Sequence, residues 1–77
     1  MNKIYKVGSH NVVLSSSVTE KSVQEATAEL AAKHGVTDER NLMRGKNLAY
    51  VNLGDDEMFA IVNENSEEGQ AFISELN

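Results

Sequence analysis

The chain predicts an α+β fold ordered ββα(α)ββα: one four-stranded antiparallel sheet made from two hairpins, with the two longer helices packed on one face. Three observations carry this. Two stretches, near residues 19–34 and 66–76, place apolar residues at helical spacing. Two pairs of short β-branched and apolar runs are each divided by turn formers. And 77 residues with 40% hydrophobic and 25% charged composition suit a single small globular domain.

Lys3 to Val7 reads as the first strand, with β-branched and aromatic residues in partial alternation. Gly8-Ser9-His10-Asn11 is a run of turn formers, and Val12-Val13-Leu14 resumes an apolar strand, completing a hairpin. Ser15-Ser16-Ser17 ends it and supplies capping hydroxyls. The first helix then runs from about Thr19 to His34. Ser17 with Glu20 has the capping-box form, and Thr19 competes as the cap. Val23, Ala26, Thr27, Leu30 and His34 define its inner face, Glu29 and Lys33 form an i,i+4 pair, and Gly35 suits the left-handed residue past the helix end.

Thr37-Asp38-Glu39 opens a short second helix with Leu42 and Met43 inward, Arg44 in its last turn and Gly45 as its stop. Residues 48–53 form a third strand, Gly54 to Glu57 a turn, and Met58 to Val62 a fourth strand. The last helix begins after Ser66 and places Gly69, Phe72, Ile73 and Leu76 on one stripe. Leu30 and Phe72 are expected among the most buried side chains. Shifting the chain by 46 residues lays Gly8 on Gly54, Gln24 on Gln70, Glu29 on Glu75 and Leu30 on Leu76. That match follows from two ββα units alone and carries no evolutionary weight. With both helices on one face, Tyr5, Val7 and Tyr50 would line an uncovered apolar patch, so a homodimer or a complex with another protein is expected.

Composition narrows function by exclusion. The chain has no cysteine, which excludes a disulfide scaffold, a thiolate metal site and a cysteine nucleophile. The first residues lack the apolar core of a signal peptide, and no apolar run reaches membrane-spanning length. A cytoplasmic protein that does not engage membrane is the expectation. Ser15-Ser16-Ser17 lacks the Gly-x-Ser-x-Gly setting of a nucleophile elbow. His10 with Asp55 and Asp56 would make a metal site only if the two hairpin loops met, and His34 suits the last carbonyls of its helix. No enzyme activity, cofactor or metal is expected.

Charge is the most informative feature. Residues 1–46 hold all seven Lys and Arg with five acids, a net +2, whereas residues 47–77 hold seven acids and no base, a net −7. Helix and turn chemistry accounts locally for Glu67, Glu68, Asp55, Asp56 and Glu57. It does not account for the absence of Lys and Arg across the whole C-terminal half, since surfaces normally intersperse the two signs. A single-sign field suits steering toward a basic partner. The expected function is therefore a non-enzymatic module that binds and blocks a basic surface of a partner protein through Asp55, Asp56, Glu57, Glu64, Glu67 and Glu68. Such carboxylates can stand in for nucleic-acid phosphates on a nucleic-acid-binding protein, as in small inhibitors of the phage or mobile-element kind. The alternative is a small regulator that contacts nucleic acid through Arg40, Arg44 and Lys46. Direct nucleic-acid binding is disfavoured by the negative balance and by the lack of stacking aromatics beside those cations.

Overall fold

The structure, a computed structural model, describes residues 1–9 and 13–76, with the backbone alone at Leu14 and Ser15. The chain runs β1 (Asn2–Val7), β2 (Val13–Thr19), α1 (Val23–Lys33), a 3-10 turn (Glu39–Asn41), β3 (Leu42–Met43), β4 (Leu48–Gly54), β5 (Glu57–Asn63) and α2 (Glu67–Leu76). His10, Asn11 and Val12 of the expected first hairpin lie outside the described residues. The sheet has five antiparallel strands in the order β2-β1-β5-β4-β3. The expected four-stranded sheet is thus corrected by the added strand β3.

Three local readings change with it. The predicted short helix over residues 37–44 is a single 3-10 turn followed at once by β3, because Leu42 pairs with Val51 and Met43 with Tyr50. Asp38, not Thr37, caps that turn by accepting the Arg40 N–H at 2.9 Å. Ser15, Ser16 and Ser17 belong to a strand rather than a loop, because they pair with Lys6, Tyr5 and Ile4 and so occupy the outer hydrogen-bonding edge of β1. The first helix consequently starts later. Ser22 is its cap, accepting the Glu25 N–H at 3.1 Å, and Ser22-x-x-Glu25 repeats the capping-box form read five residues upstream. Its other end follows expectation: Gly35 has φ +68°, the Gly35 N–H donates to the Ala32 carbonyl and the Val36 N–H to the Ala31 carbonyl. This is the Schellman closure.

The helices pack on opposite faces of the sheet, which corrects the expectation that both lie on one. Val23, Ala26 and Ala31 of α1 are buried against Ala49, Val51 and Ile61, with Ile4, Leu30, Leu53 and Phe59 around them. Phe72, Ile73 and Leu76 of α2 pack on Tyr5, Val7, Ala60 and Val62, with Tyr50 and Met58 beside them. Alternate residues of β5 therefore enter alternate cores, Ile61 on one side and Ala60 and Val62 on the other, each fully buried. The physical cause is the unbroken apolar run Met58-Phe59-Ala60-Ile61-Val62, which has no polar face to leave in water. Tyr5 and Val7 are buried, so the uncovered patch expected from them and Tyr50 does not form. The two ββα units are also not equivalent, since β1 lies inside the sheet beside β5 whereas β4 lies outside β5. Leu30 and Phe72 are half-buried, and the largest fully buried side chains are Ile61, Val51, Val62 and Thr27. The Thr27 hydroxyl donates to the Val23 carbonyl at 2.7 Å, which meets its burial cost.

α2 is seated by its first turn. Ser66 caps it as expected, its hydroxyl accepting the Gly69 N–H at 3.0 Å and donating to the Asn63 carbonyl at 2.8 Å. Gly69 lies against the end of β5: a Cβ there would strike the Asn63 carbonyl oxygen and come within 2.8 Å of Val62 Cγ1. Alanine normally favours a helix, but the obstacle here is backbone and cannot rotate away. Gly69→Ala is expected to lose about 1–3 kcal/mol of stability, read as a lower urea midpoint at unchanged slope. A midpoint equal to or above that of the parent would mean that α2 is not held this close.

Candidate functional site

The acidic residues of the C-terminal half fall at two ends of the sheet. Asp55 and Asp56 form the turn that joins β4 to β5, whereas Glu64, Glu67 and Glu68 follow the other end of β5. The seven residues of β5 separate the two groups by roughly 20 Å at about 3.3 Å per residue. The structure does not bring them onto one surface.

Ion pairing divides them further. Glu64 receives Lys3 at 3.2 Å and Glu57 receives Lys6 at 3.6 Å, both lysines projecting from β1 beside β5. The Glu64 carboxylate, by hydrogen bond and charge, holds the Lys3 ammonium above its ordinary pKa. Glu67 and Glu68 are exposed in the first turn of α2, where the helix dipole favours them. No salt bridge reaches Asp55, Asp56, Glu67 or Glu68 among the described residues.

Asp55 and Asp56 have φ of +53° and +62°, positive at both central positions as a type I′ turn requires. Aspartate tolerates this region better than most residues, and the right-handed strand twist makes the turn a compact, stiff tip. Gly54 before it has φ +83° and donates its N–H to the Asn52 side chain at 2.9 Å. An open cleft adjoins the tip on each face. The larger, about 600 Å³, has Val7, Met43, Tyr50 and Met58 in its walls and Arg40, Asn52, Asp56 and Glu57 among its polar groups. It lies on the α2 face: Met43 pairs with Tyr50, Asn52 with Met58, and Met58 with Val7. The ten residues of α2 span only about 15 Å, shorter than the strands beneath, and leave this end open. Partial burial of Tyr50, and then the charge of Glu75, raise the pKa of its hydroxyl. The smaller cleft, about 440 Å³, lies between His34-Gly35-Val36 and Asn52-Leu53-Gly54.

The alternative basic site is differently arranged. Arg40 and Arg44 do not share a helical face, since the turn between them is 3-10 and gives way to β3. Arg40 holds Asp38 through Nε and Nη2, at 3.1 and 2.7 Å, which lowers the Asp38 pKa and raises that of Arg40. Arg44 holds both carboxylate oxygens of Glu39 at 3.2 Å. Lys46 has no ion-pair partner among the described residues. The guanidinium–carboxylate pairs join residues two and five apart in the chain, spacings that helical periodicity does not reveal. Glu29 likewise pairs with Lys21 rather than with Lys33.

His34 ends α1 with its ring against Phe59, centroids 5.0 Å apart, so its side chain packs on an aromatic face. His10 lies outside the described residues, and among those described no group of three or more His, Cys, Asp or Glu converges as metal ligands. Among them, too, no helix is long and apolar enough to cross a membrane. Comparison with protein families, with curated proteins and with solved structures gives no match.

Proposed function

We propose that the chain is a non-enzymatic binding module that occupies a basic surface of a partner protein, with Asp55 and Asp56 as its leading contacts. The observation that carries this reading is the β4–β5 tip: two adjacent exposed carboxylates without an ion-pair partner among the described residues, held on a stiff turn between two open clefts. Glu57 supports the tip from its pair with Lys6. Glu64, Glu67 and Glu68 form a second acidic surface at the far end, which extends the field rather than the contact. Closely spaced carboxylates of this kind resemble successive phosphates in charge, so a nucleic-acid-binding protein is the partner class that fits best. The Arg40, Arg44 and Lys46 alternative is weakened by the carboxylates that occupy both arginines.

The test separates the two acidic ends. Asp55→Asn with Asp56→Asn removes charge while keeping residues that accept positive φ, and Glu67→Gln with Glu68→Gln does the same at the α2 end. Both double variants should fold and melt close to the parent, since exposed unpaired carboxylates contribute little to stability. Partner proteins from the source cell are captured on immobilised parent chain and measured over a salt series. Loss of capture with Asp55→Asn/Asp56→Asn, through an association rate lower by roughly 10–1,000-fold at low salt, is the expected result. Unchanged capture by both variants would sink the proposal. A shift of duplex DNA by the chain itself, abolished by Lys46→Ala or Arg44→Ala, would establish the alternative.

A further inference from the structure

The two edges of the sheet are protected very differently. β3 closes one edge with two residues, too short to template another strand. β2 forms the other with seven, Val13-Leu14-Ser15-Ser16-Ser17-Val18-Thr19, and among the described residues it pairs with β1 alone. Natural edges are usually blunted by charge, proline or brevity. This segment contains no charged residue and no proline. A register shift between Val13 and Ser15 disturbs its start, but Ser15 to Thr19 pair with β1 in unbroken register. Ser16, Ser17 and Val18 are exposed, Val18 to 57%.

From this we infer that β2 is the seam of a homodimer, in which two copies pair antiparallel through Ser15–Thr19 about a two-fold axis at Ser17. The chemistry of the segment selects a second copy as the occupant. In this register the backbone of Ser15 lies opposite Thr19, Ser16 opposite Val18 and Ser17 opposite itself, so no like charges meet and the two Ser17 hydroxyls can bond across the axis. Neither helix obstructs the edge: α1 packs on β4 and β5, and α2 packs on β5 and Tyr5. The five strands of each copy become ten in one continuous sheet, whose outer edges are then the two short β3 strands. Nothing of comparable length is left for a third copy, so the assembly closes at two. This seam is independent of the acidic tip and does not rest on its proposed role.

The test is charge swapping at the axis. Parent protein in sedimentation equilibrium should move from 8.4 kDa toward twice that mass as concentration rises from low to high micromolar. Ser17→Lys and Ser17→Glu should each remain monomeric at every concentration with native circular dichroism, because like charges face each other across the two-fold. Mixing them in equal amounts should restore the doubled mass, as Lys then faces Glu. Since the parent lacks cysteine, Ser17→Cys should also cross-link to a disulfide dimer on mild oxidation, whereas Glu25→Cys on α1 should not. A parent that stays at 8.4 kDa throughout overturns the inference. So does a Ser17→Lys variant that still dimerises, or a mixture that fails to restore the dimer, since the association would then lie elsewhere or pair β2 with a different chain.

Discussion

Ile61→Ala is expected to remove about 3–4 kcal/mol of stability. Ile61 is fully buried at the centre of β5, between Ile4 of β1 and Ala49 of β4. Its side chain meets the α1 face, where Val23, Ala26, Val51 and Ala49 form the same cluster. Most of those neighbours are small or β-branched and anchored on backbone that the sheet fixes. The void left by the substitution would therefore collapse only partly, which puts the cost in the upper part of the range of about 2–5 kcal/mol for such truncations. Domains are stable by only about 5–15 kcal/mol, so the variant should unfold at a clearly lower urea concentration than the parent. A loss below about 1 kcal/mol would place Ile61 outside the core.

Phe72→Ala should cost about 3 kcal/mol, by a different route. Phe72 is the centre of an aromatic trio, its ring 5.9 Å from that of Tyr5 and 6.0 Å from that of Tyr50, both tilted. Each such contact adds about 0.5–1.5 kcal/mol to simple burial, while the half-exposure of Phe72 subtracts from it. The effect should also be local. The sheet stands between the two helices, so amide hydrogen exchange in α2 should accelerate by more than in α1. Equal acceleration in both helices would show that the two cores open together, with the sheet transmitting the loss from one face to the other.

Much of this architecture was written locally and was legible for that reason. Gly35 and Ser66 each act through hydrogen bonds within a few residues, and the β4–β5 hairpin is bounded by its own turn chemistry. What escaped was non-local. Ser15, Ser16 and Ser17 have low strand propensity and became strand because β1 needed a partner on its outer side. The side on which each helix lies follows from β5, whose five successive apolar residues were the available signal for burial on both faces. The charge asymmetry between the two halves located the candidate carboxylates, but only the pairing of β1 with β5 brings Lys3 to Glu64 and Lys6 to Glu57, leaving Asp55 and Asp56 unneutralised. Charge counting along the chain cannot register that cancellation.

The place of β1 in the sheet also sets the order in which the molecule can form. Its inner neighbour is β5, so Asn2 finds its partner in Asn63 and Val7 in Met58. A hairpin of β1 and β2 can close early, yet α1, which follows directly, has its landing surface on Ala49, Val51 and Ile61, residues that lie further along the chain. The hairpin and α1 therefore both depend on β5, whose pairing with β1 joins segments more than fifty residues apart. High contact order of this kind slows folding relative to helical domains of similar size. It also makes the docking of β5 the step on which both cores depend, because that strand supplies each of them with its floor.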